Sequence, residues 1–277
     1  MADLTIATPF AGYELPYLDR WLEHLRDLCI CADPAEVLWL DNSLSPMFGE
    51  YLLDASTTIP APVRILEERL KIADPATAKA DLPWEAKEVQ ASLMWQRARL
   101  EVETEWILCL ESDVIPPPNT VELLGEALAS SPPVGAISGT IPERPHRVPN
   151  AIVPMVWRMR IGEDTTIRGL PEPGLHVPAV DRYLGLNPDC PRDGMEIVDG
   201  IPFGCMLSRR STLLSVPLEP TWPPCNVYGS DQLFSRNLRK LRKLHVAVHW
   251  GVRCGHIKKM PDGTFEDLRN VTHIPTD

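Results

Sequence analysis

The segment Trp106–Pro118 reads WILCLESDVIPPP. Its first five residues, Trp106 to Leu110, form an unbroken apolar run of strand length, the mark of a strand covered on both faces. The run stops at Glu111-Ser112-Asp113, and Pro116-Pro117-Pro118 prevents the strand from going on. Asn119 then stands where a helix cap is expected, before Thr120 to Ala129, in which Val121, Leu124 and Leu128 recur at helical spacing. A strand, an acidic cluster and a helix thus follow in close succession.

The same grammar extends in both directions. Upstream, Leu4 to Pro9 is a short strand closed by proline. Leu15 to Leu28 places Leu18, Trp21, Leu22, Leu25 and Leu28 on one helical face. Glu36 to Asp41 reads as a second strand ending in the turn cluster Asp41-Asn42-Ser43, and Val63 to Leu66 as a weaker third. Pro83 to Glu105 is a long helical pattern with Ala91, Met94, Trp95, Ala98 and Val102 on one side; it carries Lys87 and Arg97. Downstream, Val134 to Ser138, Ile152 to Trp157 and Gly200 to Leu207 read as strands. Ser230 opens a helix to Leu244 with Phe234, Leu238 and Leu241 inward, and Leu244 to Trp250 alternates as a last strand. Alternating strands and helices predict an α/β fold with a mostly parallel, Rossmann-like central sheet flanked by helices.

The chain has 277 residues, of which 44% are hydrophobic and 23% charged, a globular composition that excludes disorder as the dominant state. Prolines number 29 and concentrate after residue 116. The expected organisation is one domain over 1–260, regular over 1–115 and loop-rich over 116–260, with a tail over 261–277. The net charge of −11 disfavours a dedicated nucleic-acid binder. A basic cluster, Arg236, Arg239, Lys240, Arg242 and Lys243, stands out locally and reads first as a solvated helix face. The seven cysteines include no C-x-x-C pair, which fits a reducing compartment. The N-terminus lacks a signal-peptide pattern, and no window approaches the ~18 apolar residues of a membrane helix, so a cytoplasmic location is expected.

In open α/β sheets, ligands bind beyond the carboxyl ends of the strands. That rule selects Thr8-Pro9, Asp41-Asn42-Ser43 and Glu111-Ser112-Asp113. The last is the sharpest: two carboxylates two residues apart share a direction if the strand continues, and would make a hard-oxygen site for Mg2+ or Mn2+. An acid in the first turn of a helix, such as Asp231, is favoured by the helix dipole whatever else it does.

With Glu111-Ser112-Asp113 in the position of a D-x-D motif inside Trp106–Pro118, the chain resembles the GT-A fold glycosyltransferases, most closely their family 2-like branch, over about residues 4 to 257. The resemblance implies a metal-dependent inverting transfer of a sugar from a nucleotide-diphosphate sugar, UDP-linked for preference, to an acceptor hydroxyl. It implies that Thr8, Pro9 and Asp41 hold the base, that Glu111, with Ser112 beside it, meets the ribose, and that Asp113 binds Mn2+ or Mg2+. Glu111 departs from the family's Asp. The helix before the motif would bring Arg97 or Lys87 to the donor phosphates, though a salt-bridging arginine on an exposed face reads equally well. Tyr228-Gly229-Ser230-Asp231 opens a helix where such enzymes carry their base, which makes Asp231 the catalytic residue. Cys254-Gly255-His256 follows the last strand, which makes His256 the second metal ligand. Trp222 would stack on a sugar or close the core. The segment Pro142 to Asp199 has no counterpart and is where acceptor specificity would be built.

Two other readings compete. A nucleotidyltransferase shares this sheet but needs a glycine-rich loop after the first strand, which Thr8-Pro9-Phe10-Ala11-Gly12 lacks. A non-catalytic binding module would not need Glu111, Asp113, Asp231 and His256 together. The acceptor is open between a protein, a lipid or glycan, and a hydroxymethylated pyrimidine in DNA; nucleic acid is not favoured.

Overall fold

The computed structural model describes residues 3–11, 14–43, 45–68, 84–143, 153–159, 166–167, 170–171, 176–178, 194–218, 230–260 and 263–268. Among these, eight strands build a central sheet. Chain order gives β1 (Leu4–Phe10), β2 (Glu36–Asp41), β3 (Val63–Glu67), β4 (Trp106–Leu110), a short β5 (Val114–Ile115) outside that sheet, β6 (Val134–Thr140), β7 (Met195–Val198), β8 (Cys205–Arg209) and β9 (His245–Arg253). The spatial order is β7-β9-β6-β8-β4-β1-β2-β3. Neighbours β4, β1, β2 and β3 run parallel, as do β6 and β9; β8 is antiparallel between β4 and β6, and β7 is antiparallel on β9.

Helices cover both faces because both faces of the inner strands are apolar. Leu4, Ile6 and Phe10 of β1 and Trp39 of β2 pack beneath α1 (Leu18–Ala32), α2 (Pro46–Ser56) and α4 (Thr120–Ala129). Ala7, Leu38, Ile107 and Cys109 face the other way, against Met94, Trp95 and Ala98 of α3 (Trp84–Glu101), Leu213 of α5 (Arg210–Leu214) and Phe234 of α6 (Ser230–Asn237). The expected α/β architecture is the observed one. Edge strand β3 is closed by charge: Arg64 pairs with Glu36 at 2.7 Å and Glu101 at 3.0 Å, and these partners hold its guanidinium pKa above its ordinary value.

Several elements differ from the sequence expectation. Helix α2 was not anticipated, although Ser45 caps it by accepting from Phe48 N–H and Pro46 opens it. Asn119 occupies the cap position of α4 without a side-chain cap bond. The apolar run from 200 becomes strand only from Cys205, and Ile152 to Trp157 divides into Val153–Pro154 and Trp157–Met159. The helix from Ser230 turns π-helical at Leu238–Arg242. A wider turn rotates every later side chain out of α-helical phase, so Leu241, expected inward, is 59% exposed.

The largest difference lies past the last expected strand. Beyond β9 come β10 (Gly255–Lys259) and β11 (Phe265–Asp267). With β5 they form a second, three-stranded antiparallel sheet in the order β11-β10-β5. Residues 265–268 were read as tail, yet Asp267 and Leu268 are buried. Trp222, Tyr228, Gly229, Cys190, Cys225, the side chain of Lys87, residues 269–277 and most of the segment Pro142 to Asp199 lie outside what the structure describes. Among the described residues no helix is long and apolar enough to cross a membrane.

Among the described residues no cysteine is in a disulfide, and only Cys31 is exposed. Burial pushes the Cys29 thiol up to about 12 and also raises that of Cys109. A brief pulse of an alkylating reagent on the native protein near neutral pH is therefore expected to label Cys31 and spare Cys29, Cys109, Cys205 and Cys254, read by peptide mapping.

Candidate active site

The acidic motif is a turn, not a strand extension. Glu111 N–H donates to Gly204 O at 3.0 Å, and Val114 N–H returns to Glu111 O at 3.1 Å. The idea that Glu111 and Asp113 share a strand face is thereby corrected. The turn sends Glu111 towards β8 and Asp113 towards the small sheet. Trp21 of α1 locks the turn, its Nε1–H shared between Glu111 O at 3.2 Å and Val114 O at 3.0 Å. Trp21 is 1% exposed. Trp21→Phe, which leaves both carbonyls without that donor, is expected to cost about 1–3 kcal/mol in denaturant unfolding.

The turn leads into β5, which pairs with β10 so that His256 lies opposite Val114 and Gly255 opposite Ile115. This pairing brings His256 to Asp113, 143 residues apart in sequence. His256 is buried, and its Nδ1 is 2.7 Å from Pro142 O. A carbonyl only accepts, so Nδ1 carries the proton and Nε2 presents its lone pair. That lone pair faces Asp113 Oδ2 at 3.3 Å. A metal ion held between the ring nitrogen and the carboxylate would be served by both. Adjacent ligands of a six-coordinate ion, each at about 2.1 Å, lie ~3 Å apart, so the observed spacing suits a shared ion. A carbonyl that fixes the far nitrogen of a histidine is a common outer support for a metal-ligating imidazole. Among the described residues no group of three or more His, Cys, Asp and Glu side chains is assembled. Asp113 and His256 would therefore supply two protein ligands and leave the rest of the shell to substrate and water.

A buried carboxylate supports this pair from behind. Asp267 of β11 accepts the His256 backbone N–H at 3.1 Å and lies 3.7 Å from Arg20 Nη2 of α1. Gly255 leaves space for this carboxylate, because a Cβ on it would lie 2.4 Å from Asp267 Oδ2. Gly255→Ala must turn the Asp267 side chain off the His256 N–H or shift the strands, and a fall in thermal midpoint together with weakened Mn2+ binding is the expected result.

Ser112 and Glu111 take separate places. Ser112 is buried, and its hydroxyl donates to Glu14 Oε1 at 3.1 Å, the oxygen that also accepts Ala11 N–H at 2.9 Å. Glu14, 1% exposed, thus ties the loop after β1 to the acidic turn. Sequence reading passed over it, although an acid after the first strand of such a sheet was the available signal. Ser112 is consequently a support of the turn and not an open ligand contact. Glu111 is half-buried, and a Cβ at Gly204 would come within 3.0 Å of its Oε2 and 2.7 Å of Ile141 Cδ1, so a glycine makes room for it.

The remaining expected residues scatter. Thr8 is fully buried on the face of β1 that carries Ile6 and Phe10. Pro9 is half-buried at the strand end and Asp41 is 7% exposed at the end of β2, where Oδ1 accepts Ser43 N–H at 2.8 Å. Arg97 pairs with Glu68 and with Glu101, both at 2.8 Å, the salt-bridging arrangement that its place on the helix also offered. Asp231 stands in the first turn of α6, half-buried, with Oδ1 accepting Gln232 N–H at 2.7 Å. One turn on, Phe234 packs on Phe203 at 5.4 Å, and Phe203 precedes the Gly204 that borders Glu111. In the basic cluster, Arg239 pairs with Asp199 and Arg242 donates to Ser215 O at 2.9 Å, while Lys240 and Lys243 are exposed.

No family model and no curated protein matches the sequence. Solved structures do match the fold. GalNAc-T7, determined with UDP, GalNAc and Mn2+, superposes with a TM-score of 0.56 at 10% identity, over 92% of this chain and 44% of its own. The mannosyltransferase PcManGT from Pyrobaculum calidifontis, determined with GDP-Man and Mn2+, gives 0.53 at 13% identity, over 91% of this chain and 56% of its own. The chain thus spans about half the length of either. The likeness establishes the GT-A fold that the acidic turn suggested.

Proposed function

We propose that this chain is a metal-dependent glycosyltransferase that moves a sugar, with inversion, from a nucleotide-diphosphate sugar to an acceptor hydroxyl. The observation that carries the reading is the Asp113–His256 pair, with the ring nitrogen opposite the pair fixed by Pro142 O. Mn2+ or Mg2+ would be held by Asp113 and His256. When bound, such an ion offsets the charge that develops on a leaving diphosphate. That both similar structures were determined with Mn2+ and a nucleotide supports the assignment, and their different nucleotides leave UDP and GDP both to be tried.

The protein's own groups do the rest. Pro142 O and Asp267 fix the tautomer and height of His256, so the ligand is oriented before any substrate arrives. Glu14, Ser112 and Trp21 hold the acidic turn in shape. Glu111, half-buried beside Gly204, would accept from a donor hydroxyl such as that of a ribose. Pro9 and Asp41, at neighbouring strand ends, border the place for the base. Asp231 accepts the acceptor's hydroxyl proton as that oxygen attacks the anomeric carbon from the face opposite the diphosphate.

A panel of UDP- and GDP-sugars, each with and without Mn2+, tests this by thermal shift. A donor at 100 times its dissociation constant adds about 2.7 kcal/mol of stability, and that gain is expected only with the metal present. A shift independent of metal, or none with any nucleotide sugar, would contradict the reading.

A further inference from the structure

Lys258 follows His256 by two residues on β10, so both side chains leave the strand on one face. Its Nζ lies 3.6 Å from Asp113 Oδ2, the oxygen that His256 Nε2 faces at 3.3 Å. The side chain of Lys258 is 32% exposed and that of His256 only 2%. The imidazole therefore forms the floor of the pair and the ammonium its rim.

The geometry points to Lys258 as a diphosphate-binding residue that rests on Asp113 until a divalent ion takes over that oxygen; this extends the donor reading above and rests on it. A divalent ion on Asp113 and His256 puts two positive charges beside the oxygen that the ammonium neighbours. Like charges repel, and a lysine stem with four rotatable carbons can swing its point charge away. The anion that arrives with the ion is the diphosphate of the nucleotide, whose charge one divalent ion does not cancel. Lys258, already at the rim, meets it as a charge-assisted donor. One side chain thus competes with the metal in the empty site and assists the nucleotide in the filled one. The two roles give opposite signs on removal.

Calorimetric titration of the wild type, Lys258→Met and Lys258→Arg reads both roles. The probes are Mn2+ alone, then UDP or GDP in the presence of Mn2+. Lys258→Met keeps the apolar stem, and its thermal midpoint is compared first with that of the wild type. Removing a partly exposed competing charge is expected to tighten binding of Mn2+ alone by up to about fivefold. Loss of a charged donor is expected to weaken nucleotide binding by about tenfold or more. Lys258→Arg is expected to restore nucleotide binding. If Lys258→Met weakens both ligands together, or changes neither, Lys258 has no such role although the donor reading stands. If the wild type itself binds neither Mn2+ nor a nucleotide with Mn2+, the donor reading falls and this inference with it.

Discussion

Asp113→Asn is expected to abolish Mn2+-dependent nucleotide binding and sugar transfer together while leaving the fold intact. Asparagine keeps the volume and one oxygen but removes the charge that a hard divalent ion requires. Removing even an outer support of a metal ligand typically costs 10–100-fold in affinity, so loss of the ligand itself should reach at least ~10²-fold. The cost to stability is small by comparison. The carboxylate's ion pair with Lys258 is partly solvated, and such pairs are worth roughly 0–1 kcal/mol. The variant should therefore melt near the wild type and fail to gain stability from Mn2+ and nucleotide. His256→Ala would differ, because it leaves Pro142 O buried without its donor, at about 1–3 kcal/mol. Mn2+-dependent turnover that survives in Asp113→Asn would remove Asp113 as the ligand.

Asp231→Asn should separate binding from chemistry. The side chain opens α6, where a carboxylate is favoured by the helix dipole and its Oδ1 accepts Gln232 N–H. Asparagine retains the shape and an oxygen for that bond, so the helix start survives. What it lacks is a basic lone pair for the acceptor's proton. Transfer should fall by at least ~10², the low end of what a positioned base contributes, with the Mn2+-dependent thermal shift from the donor unchanged. Loss of donor binding in this variant would assign Asp231 to the donor site. A product that retains the donor's anomeric configuration would contradict single-step inversion.

How much of this was legible beforehand follows from which contacts are local. Trp106 to Leu110 announced a strand buried on both faces because a covered strand has no polar side to show. Leu18, Trp21, Leu22, Leu25 and Leu28 announced α1 because its apolar face repeats with the helix period. Asp113 was readable as a candidate because its motif ends an apolar run, and His256 entered through the family resemblance. The small sheet that joins them was not readable, because β5 has two residues and β11 three, too short for a period to register. Asp267, polar and near the C-terminus, gave no sign that it was buried behind His256. Glu14 looked like loop composition, and only the fold shows it bracing Ser112. For Thr8 and Arg97 only the neighbourhood was legible. The end of a strand and the face of a helix identify a neighbourhood, while the direction of one side chain depends on partners such as Glu68 and Glu101 that lie elsewhere in the chain. The π-helical turn that exposes Leu241 is likewise invisible to a search for 3.6-residue spacing.

Asp113 and His256 would together hold one divalent ion. Anomalous scattering from crystals of the chain grown with Mn2+ and UDP or GDP locates that ion directly. The expected result is a single strong peak about 2.1 Å from both Asp113 Oδ2 and His256 Nε2, with diphosphate oxygens on its open side. A nucleotide bound at the carboxyl ends of the strands, with no peak between those two atoms and Lys258 still resting on Asp113, would contradict it.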